Sequence, residues 1–187
     1  MKDELRSKYK IIRRNIKDKL RSKYKIIRRN IKDKSLKDKA IFDKVISNDK
    51  VVSSKVVLIY VSLSDEVDTF GLIDHLLKSK SVAVPKIVNG EMRFYFISSF
   101  DDLEKGYFGV LEPTTCDEVL NFNECISITP GICFSKSGYR VGYGKGFYDR
   151  FYNVHNVCKI GICYKECLTD LDFNDSYDVK VDEVITD

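Results

Sequence analysis

The chain is poor in the residues from which most metal and redox sites are built. Its 187 residues include only two histidines, and its six cysteines (Cys116, Cys125, Cys133, Cys158, Cys163 and Cys167) contain no pair at CxxC spacing. A zinc site is therefore poorly supported. No apolar run approaches the ~20 residues of a membrane span. The charged N-terminus lacks the apolar segment of a secretory signal. These absences point to a cytoplasmic protein whose thiols are reduced and serve mainly as small core residues. No Ser/His/Asp or Cys/His arrangement stands out. At 43% hydrophobic and 12% aromatic residues the chain is globular and long enough to bury a core as one domain.

Glycine is also scarce, with ten in all, yet five fall between Gly131 and Gly146. The densest stretch reads RVGYGKGFYD, from Arg140 through Val141, Gly142, Tyr143, Gly144, Lys145, Gly146, Phe147 and Tyr148 to Asp149. Alternating glycines free the backbone to take positive φ and let a ligand approach its amides. Successive amides can form an anion-binding concavity, and lysine and arginine add full positive charge to it. An aspartate just beyond suits the magnesium that accompanies a nucleotide. Two well-known phosphate loops are excluded. The P-loop needs Ser or Thr after its lysine, where this chain has Gly146, and the run is GxGxG rather than the dinucleotide GxGxxG. The spacing reads as a nucleotide-phosphate cradle, though a tight glycine turn with a surface lysine satisfies it equally.

The net charge of +4 hides an asymmetry. Residues 1–39 hold 17 Lys/Arg against 5 Asp/Glu, a net +12, while residues 40–187 hold 15 against 23, a net −8. Such an arm suits nucleic acid or membrane contact, or is simply a solvated helix face. It carries only Tyr9 and Tyr24 as aromatics, which argues against a reader of single strands. The arm contains a perfect repeat: LRSKYKIIRRNIKDK occupies residues 5–19 and returns at 20–34. Two copies of 15 residues are too few and too short for a solenoid. They mark a recent tandem duplication or an artefact. Leu5, Tyr9, Ile12 and Ile16, and again Leu20, Tyr24, Ile27 and Ile31, fall at helical spacing. One 15-residue insertion displaces the first copy about 22 Å along a helix axis, so one copy docks and the other projects. We take residues 1–19 as a basic helical extension and residues 20–187 as a single α/β domain.

A second amphipathic helix is expected over residues 35–46, with Leu36, Ala40, Val45 and Ile46 facing the core. Residues 56–62 read as a buried strand and 65–80 as a loop followed by a helix. Residues 82–84 are a short strand ended by Pro85, and 91–97 alternate as a half-exposed strand. Residues 100–113 form a turn-rich connection, 126–129 and 159–163 are further buried strands, and 184–185 is the last. A helix begins near Gly146, with its positive end toward any bound phosphate. The alternation predicts a three-layer α/β sandwich, with a largely parallel sheet and helices on both faces. Ligands in such folds sit beyond the carboxyl ends of the strands, where the loops after Tyr60 and Thr129 lie.

Residues 130–152, PGICFSKSGYRVGYGKGFYDRFY, resemble the signature of the 5-formyltetrahydrofolate cyclo-ligases, also called methenyltetrahydrofolate synthetases. Residues 57–69, 82–86, 102–113 and 177–186 resemble further segments of that family in the same order. The resemblance implies ATP-dependent closure of 5-formyltetrahydrofolate to 5,10-methenyltetrahydrofolate, with ADP and phosphate released through a phosphorylated formyl intermediate. It implies ATP and Mg²⁺ as co-substrate and metal, and a monomer. The family opens with a KxxLR pattern, which Lys17, Leu20 and Arg21 match at the expected distance from Glu66; Lys2, Leu5 and Arg6 match it 15 residues too early. By resemblance, Lys17, Arg21, Arg140, Val141, Lys145 and the amides from Gly142 through Tyr143, Gly144 and Gly146 hold ATP, and Lys145 and Arg140 are catalytic. Val61, Glu66, Phe147 and Tyr148 hold the folate, the last two also flanking the nucleotide. Asp149 and Asp178 are the metal ligands. Phe147 stands where many members carry tyrosine, which keeps stacking but loses a hydroxyl. Two other readings compete: an ATP-binding homologue without folate activity, and a nucleic-acid binder using the basic arm.

Overall fold

A computed structural model of the chain describes residues 2–106, 109–171 and 173–187, with the side chains of residues 2–7 and 10 outside that description. The side chains of Lys2, Leu5 and Arg6, and Tyr107 and Phe108 of the 102–113 segment, thus lie outside the described residues. The centre is a six-stranded sheet. Its strands are β1 (Val56–Ile59), β2 (Ser81–Val88), β3 (Glu91–Ile97), β6 (Cys125–Thr129), β9 (Cys158–Ile162) and β11 (Glu183–Ile185). They run in the order β11-β9-β6-β1-β2-β3. All neighbours are parallel except β2 and β3, which form an antiparallel hairpin turning at Asn89 and Gly90. Both turn residues take positive φ, 51° and 81°, as a two-residue hairpin of primed type requires.

Strand alternation divides the core into two layers. Val57 and Ile59, with Ile126, Ile128, Ile160 and Ile162, face one side. There they meet Ile41 and Val45 of α2 (Lys34–Ile46), Val51 of α3 (Asp49–Ser53), and Leu72, Ile73 and Leu76 of α4 (Phe70–Leu77). Leu58, Ala83 and Phe94 face the other side and meet Phe151 and Tyr152 of α5 (Phe147–Val154). Burying each large aliphatic side chain in these layers contributes about 1.5–3 kcal/mol. This is the predicted sandwich with helices on both faces.

Four expectations needed correction. Pro85 does not end β2, which continues to Val88 with Pro85 opposite Phe94. Pairing with β1 stops at Ala83, so the proline sits where β2 has one neighbour only, the place a strand tolerates it. Leu36 is 70% exposed, and Ile41 fills the core with Val45 one turn on. The strand expected to reach residue 62 stops at Ile59, and the residues beyond it form a loop. The 100–113 connection contains a short hairpin of β4 (Leu103–Lys105) and β5 (Leu111–Pro113). A three-stranded sheet of β7 (Cys133–Ser135), β8 (Arg140–Val141) and β10 (Leu168–Thr169) was not anticipated; it carries the glycine loop.

The N-terminal helix α1 runs without a break from Lys2 to Arg29, through the first repeat and into the second. The repeats share their sequence but not their surroundings. Leu20 and Tyr24 are buried at 4% and 5%, whereas Tyr9 and Ile12 are 61% and 45% exposed. Ile16, Ile27 and Ile31 pack on the main core, so docking starts in the last turn of the first copy. Among the described residues no helix is long and apolar enough to cross a membrane.

Candidate active site

β1 and β6 are adjacent, but the chain leaves β1 toward β2 on one side and β6 toward β9 on the other. This reversal of strand order opens a crevice at their carboxyl ends. The loop after β1 is tied down by its own side chains. Thr69 Oγ1 donates to the Tyr60 carbonyl at 2.8 Å and accepts from the Ser62 amide at 3.0 Å, while Ser62 Oγ accepts from the Thr69 amide at 3.1 Å. Within this loop Glu66 accepts from the Leu63 amide at 2.9 Å through Oε2. Only 6% of Glu66 is exposed, and burial pushes its carboxyl above the usual carboxylate range against the Leu63 amide, Arg28 and Tyr143, which pull it down. A pocket carboxylate that would be solvated on an ordinary surface loop is therefore held and desolvated here.

The glycine loop leaves the crevice after β8 and enters α5. Gly144 and Gly146 have φ of 95° and 67°, in the left-handed region where a side chain would be strained. Gly146 is also the N-cap of α5. Lys145 is exposed at the tip of the loop, and its ammonium has no hydrogen bond or ion pair among the described residues. Behind the loop Arg140 is 7% exposed. Its guanidinium donates to the Val179 carbonyl at 3.2 Å, stands 2.8 Å from Asp149 Oδ1, and lies over the rings of Tyr148 and Tyr152. Asp149 also accepts from the Val179 amide at 3.1 Å. Burial pushes its carboxyl up, with Arg140 opposing and Asp178 adding to the rise.

Helix α1 closes the crevice. Lys17 Nζ lies 2.5 Å from Asp178 Oδ2 and 3.1 Å from Asp175 Oδ2. Arg21 Nε donates to the Gly142 carbonyl at 2.7 Å, and its guanidinium also pairs with Asp18. The candidates Lys17, Arg21, Arg140, the glycine loop, Asp149 and Asp178 are thus linked by contact, although they come from residues 161 apart. Glu66 reaches this group through Tyr143, whose hydroxyl donates to Glu66 Oε1 at 3.0 Å. Val61 is 4% exposed and packs in the main core, and Val141 is 1% exposed. The Phe147 ring lies under the Arg150 guanidinium at 5.1 Å, while Tyr148 packs against the second core layer.

Arg28 was missed by sequence reasoning. It is 4% exposed, donates through Nε and Nη2 to Asp65 Oδ2 at 3.0 and 2.8 Å, and donates to the Tyr143 hydroxyl at 2.5 Å. Its Nη1 lies 3.6 Å from Glu66 Oε1. Nothing in the pattern could single it out, because Arg13 occupies the same position of an identical repeat.

Asp149 and Asp178 supply two carboxylates, and among the described residues no group of three or more His, Cys, Asp or Glu side chains converges. Magnesium commonly takes one or two protein carboxylates together with substrate phosphates. The residues therefore suit a metal that arrives with a nucleotide rather than one caged by the protein. The arrangement offers an anion cradle with a free ammonium on one side and a buried carboxylate on the other.

A sequence model of the 5-formyltetrahydrofolate cyclo-ligase family matches residues 2–187. A protein of Caenorhabditis elegans described as a probable 5-formyltetrahydrofolate cyclo-ligase is 30% identical over 144 residues, 68% of this chain and 70% of its own. The 5-formyltetrahydrofolate cyclo-ligase of Haemophilus influenzae is 35% identical over 101 residues, 50% of this chain and 54% of its own. Among solved structures, the 5,10-methenyltetrahydrofolate synthetase of Aquifex aeolicus superposes with a TM-score of 0.80 at 30% identity, covering 90% of this chain and 88% of that one. With its switch-point crevice, glycine loop and buried carboxylate, the chain belongs to the 5-formyltetrahydrofolate cyclo-ligase family of enzymes.

Proposed function

We propose that this enzyme closes 5-formyltetrahydrofolate to 5,10-methenyltetrahydrofolate at the expense of ATP. The observation that carries this reading is the bridge from the glycine loop to Glu66 through Tyr143, because it joins an anion cradle to a carboxylate able to hold a ring amide. A formamide is a poor electrophile, since its nitrogen lone pair feeds the carbonyl. Transfer of the γ-phosphoryl group to the formyl oxygen activates the carbon, N10 of the folate closes the ring on it, and phosphate leaves. The protein's part in such a transfer is positioning and charge neutralisation.

Lys145 is the charge for the transferring group, since an exposed ammonium without a partner among the described residues can follow a moving phosphoryl oxygen. Amides of the loop from Gly142 to Gly146 cradle the phosphates. Lys17 and Arg21 add charge from α1, and Lys17 trades its hold on Asp178 for phosphate contact. Asp149 and Asp178 would hold Mg²⁺, which would supply positive charge to neutralise the phosphates. Arg140 acts from behind, fixing Asp149. Glu66 accepts two parallel hydrogen bonds from the pterin's amino and ring N–H groups. Phe147 and Tyr148 flank the ring, and Val61 backs the pocket from within the core.

The test is near-ultraviolet absorbance of methenyltetrahydrofolate formed from 5-formyltetrahydrofolate and Mg²⁺, with and without ATP. Product is expected only with ATP, and Glu66→Gln should raise the KM for folate by about tenfold or more while leaving that for ATP within about twofold. ATP-independent product, or none from well-folded protein, would overturn the reading.

A further inference from the structure

Three elements meet at the Glu66 carboxylate, and their convergence has a purpose that binding alone does not explain. Arg28 comes from the docked repeat of α1, Tyr143 from the glycine loop, and Glu66 with Asp65 from the loop after β1. Arg28 spans all three: it donates twice to Asp65, once to the Tyr143 hydroxyl, and points Nη1 at Glu66 from 3.6 Å. Among the described residues that Nη1 is buried with no hydrogen-bond partner. Arg28 lines a small cavity of about 10 Å³ together with Tyr60, Glu66, Pro130, Gly131 and Tyr164. That cavity is far too small for a substrate.

We propose that Arg28 is a positioning residue that keeps Glu66 ionised and aimed, with Tyr143 as the link through which the phosphate cradle sets that carboxylate. The inference rests on the folate-binding role proposed for Glu66. An acceptor of two N–H groups must carry no proton, yet Glu66 is almost wholly removed from water. Uncompensated burial favours the neutral acid. The charged and titratable groups facing it are Asp65 on its own loop, Arg28 on α1, Tyr143 on the glycine loop, Tyr60 at the end of β1, Tyr148 on α5, and Tyr164 after β9, whose hydroxyl donates to the Glu66 carbonyl at 3.0 Å. Arg28 is the sole cation in that set, and Asp65 opposes it. Removing the guanidinium therefore takes away the principal charge that holds the proton off.

Tyr143 makes the arrangement sensitive to the cradle. The residue is 46% exposed while its hydroxyl is shared between Arg28 and Glu66. A loop that moves to meet phosphate carries this hydroxyl with it, releasing one lone pair of Glu66 for the pterin. The same contact holds Glu66 in place when no ligand is bound.

The deciding measurement is the Glu66 titration by ¹³C NMR in full-length protein labelled at glutamate carboxyls, with the Glu66 signal assigned through Glu66→Gln. We compare wild type, Arg28→Lys, Arg28→Met and Tyr143→Phe. Arg28→Met should raise the Glu66 midpoint by one pH unit or more, and Arg28→Lys should restore most of it. The acid limb of kcat/KM for 5-formyltetrahydrofolate should move up by the same amount, with the KM for ATP unchanged at alkaline pH. Tyr143→Phe removes one hydroxyl from a partly exposed residue and so keeps the test open if Arg28→Met does not fold; it should move the Glu66 midpoint by a fraction of a unit and change the folate KM. An unmoved Glu66 midpoint in Arg28→Met, or in Tyr143→Phe where Arg28→Met does not fold, or a fall in kcat/KM that is the same at every pH, would overturn the proposal. If the wild type forms no product, the functional reading fails, while the NMR titration still decides whether Arg28 holds the charge.

Discussion

Tyr9 and Tyr24 are a matched pair supplied by the repeat. Four residues before each and ten after are identical, so helix propensity and local charge are the same at both sites. Only tertiary docking differs: Tyr24 is 5% exposed and its hydroxyl donates to the Leu168 carbonyl at 3.1 Å, whereas Tyr9 is 61% exposed. Truncating a buried aromatic to alanine costs about 3–5 kcal/mol. Leaving the Leu168 carbonyl unpaired adds about 1 kcal/mol. Tyr24→Ala should therefore destabilise by about 4 kcal/mol or more, and Tyr9→Ala by no more than about 0.5 kcal/mol. For a chain of this size 1 kcal/mol moves Tm by about 2–4 °C, so the gap between the variants is about 7 °C or more. Urea denaturation and calorimetry measure it directly. If α1 undocks before the body unfolds, limited trypsin digestion at its many lysines and arginines reports the same loss. Tyr24→Ala should also raise the KM for ATP, since α1 brings Lys17 and Arg21 to the cradle. Equal destabilisation by the two variants would refute docking through the second copy.

Two further outcomes are expected. The Asp175 carboxyl is raised by burial, but the Tyr177 amide and Lys17 outweigh this and leave it below its ordinary 3.8. The Lys17–Asp175 contact therefore stabilises the fold above pH 3.8, and its contribution is lost as pH falls through the depressed value. Wild type should exceed Asp175→Asn by about 1 kcal/mol at neutral pH in urea titrations, with the gap closing in strong acid. Thiol labelling should be equally selective. Burial pushes Cys133 and Cys167 up to about 12, with Cys163 also raised, while Cys116 is exposed. At pH 8 one thiol should react promptly in native protein and all six after denaturation; prompt loss of three or more would contradict the packing.

Much of the architecture was legible because the signals were local. Strands such as Val56–Ile59 and Cys125–Thr129 are β-branched and buried on both faces, and the glycines announce a loop whatever surrounds them. The candidate site was legible where residue type and spacing are unusual, as at Gly144 and Lys145, and through family resemblance at Glu66. What could not be read depends on contacts distant in sequence. Leu36 has the side chain of a core residue but falls on the outward face of α2, which only the docking angle decides. Pro85 stays within β2 because its neighbour stops short. Arg28 is hidden by repetition, as identical local sequence leaves burial to be set by the body it meets.

The site joins stretches far apart in the chain, since Lys17 meets Asp178 at a separation of 161 residues. At a synthesis rate of about 5–20 residues per second, α1 leaves the ribosome roughly 10–30 s before its carboxylate partners exist. During that interval its apolar stripe and its excess of positive charge have no acidic body to settle on. The site can close only once the stretch around Asp178 has been made, and that late stretch locks the early helix in place.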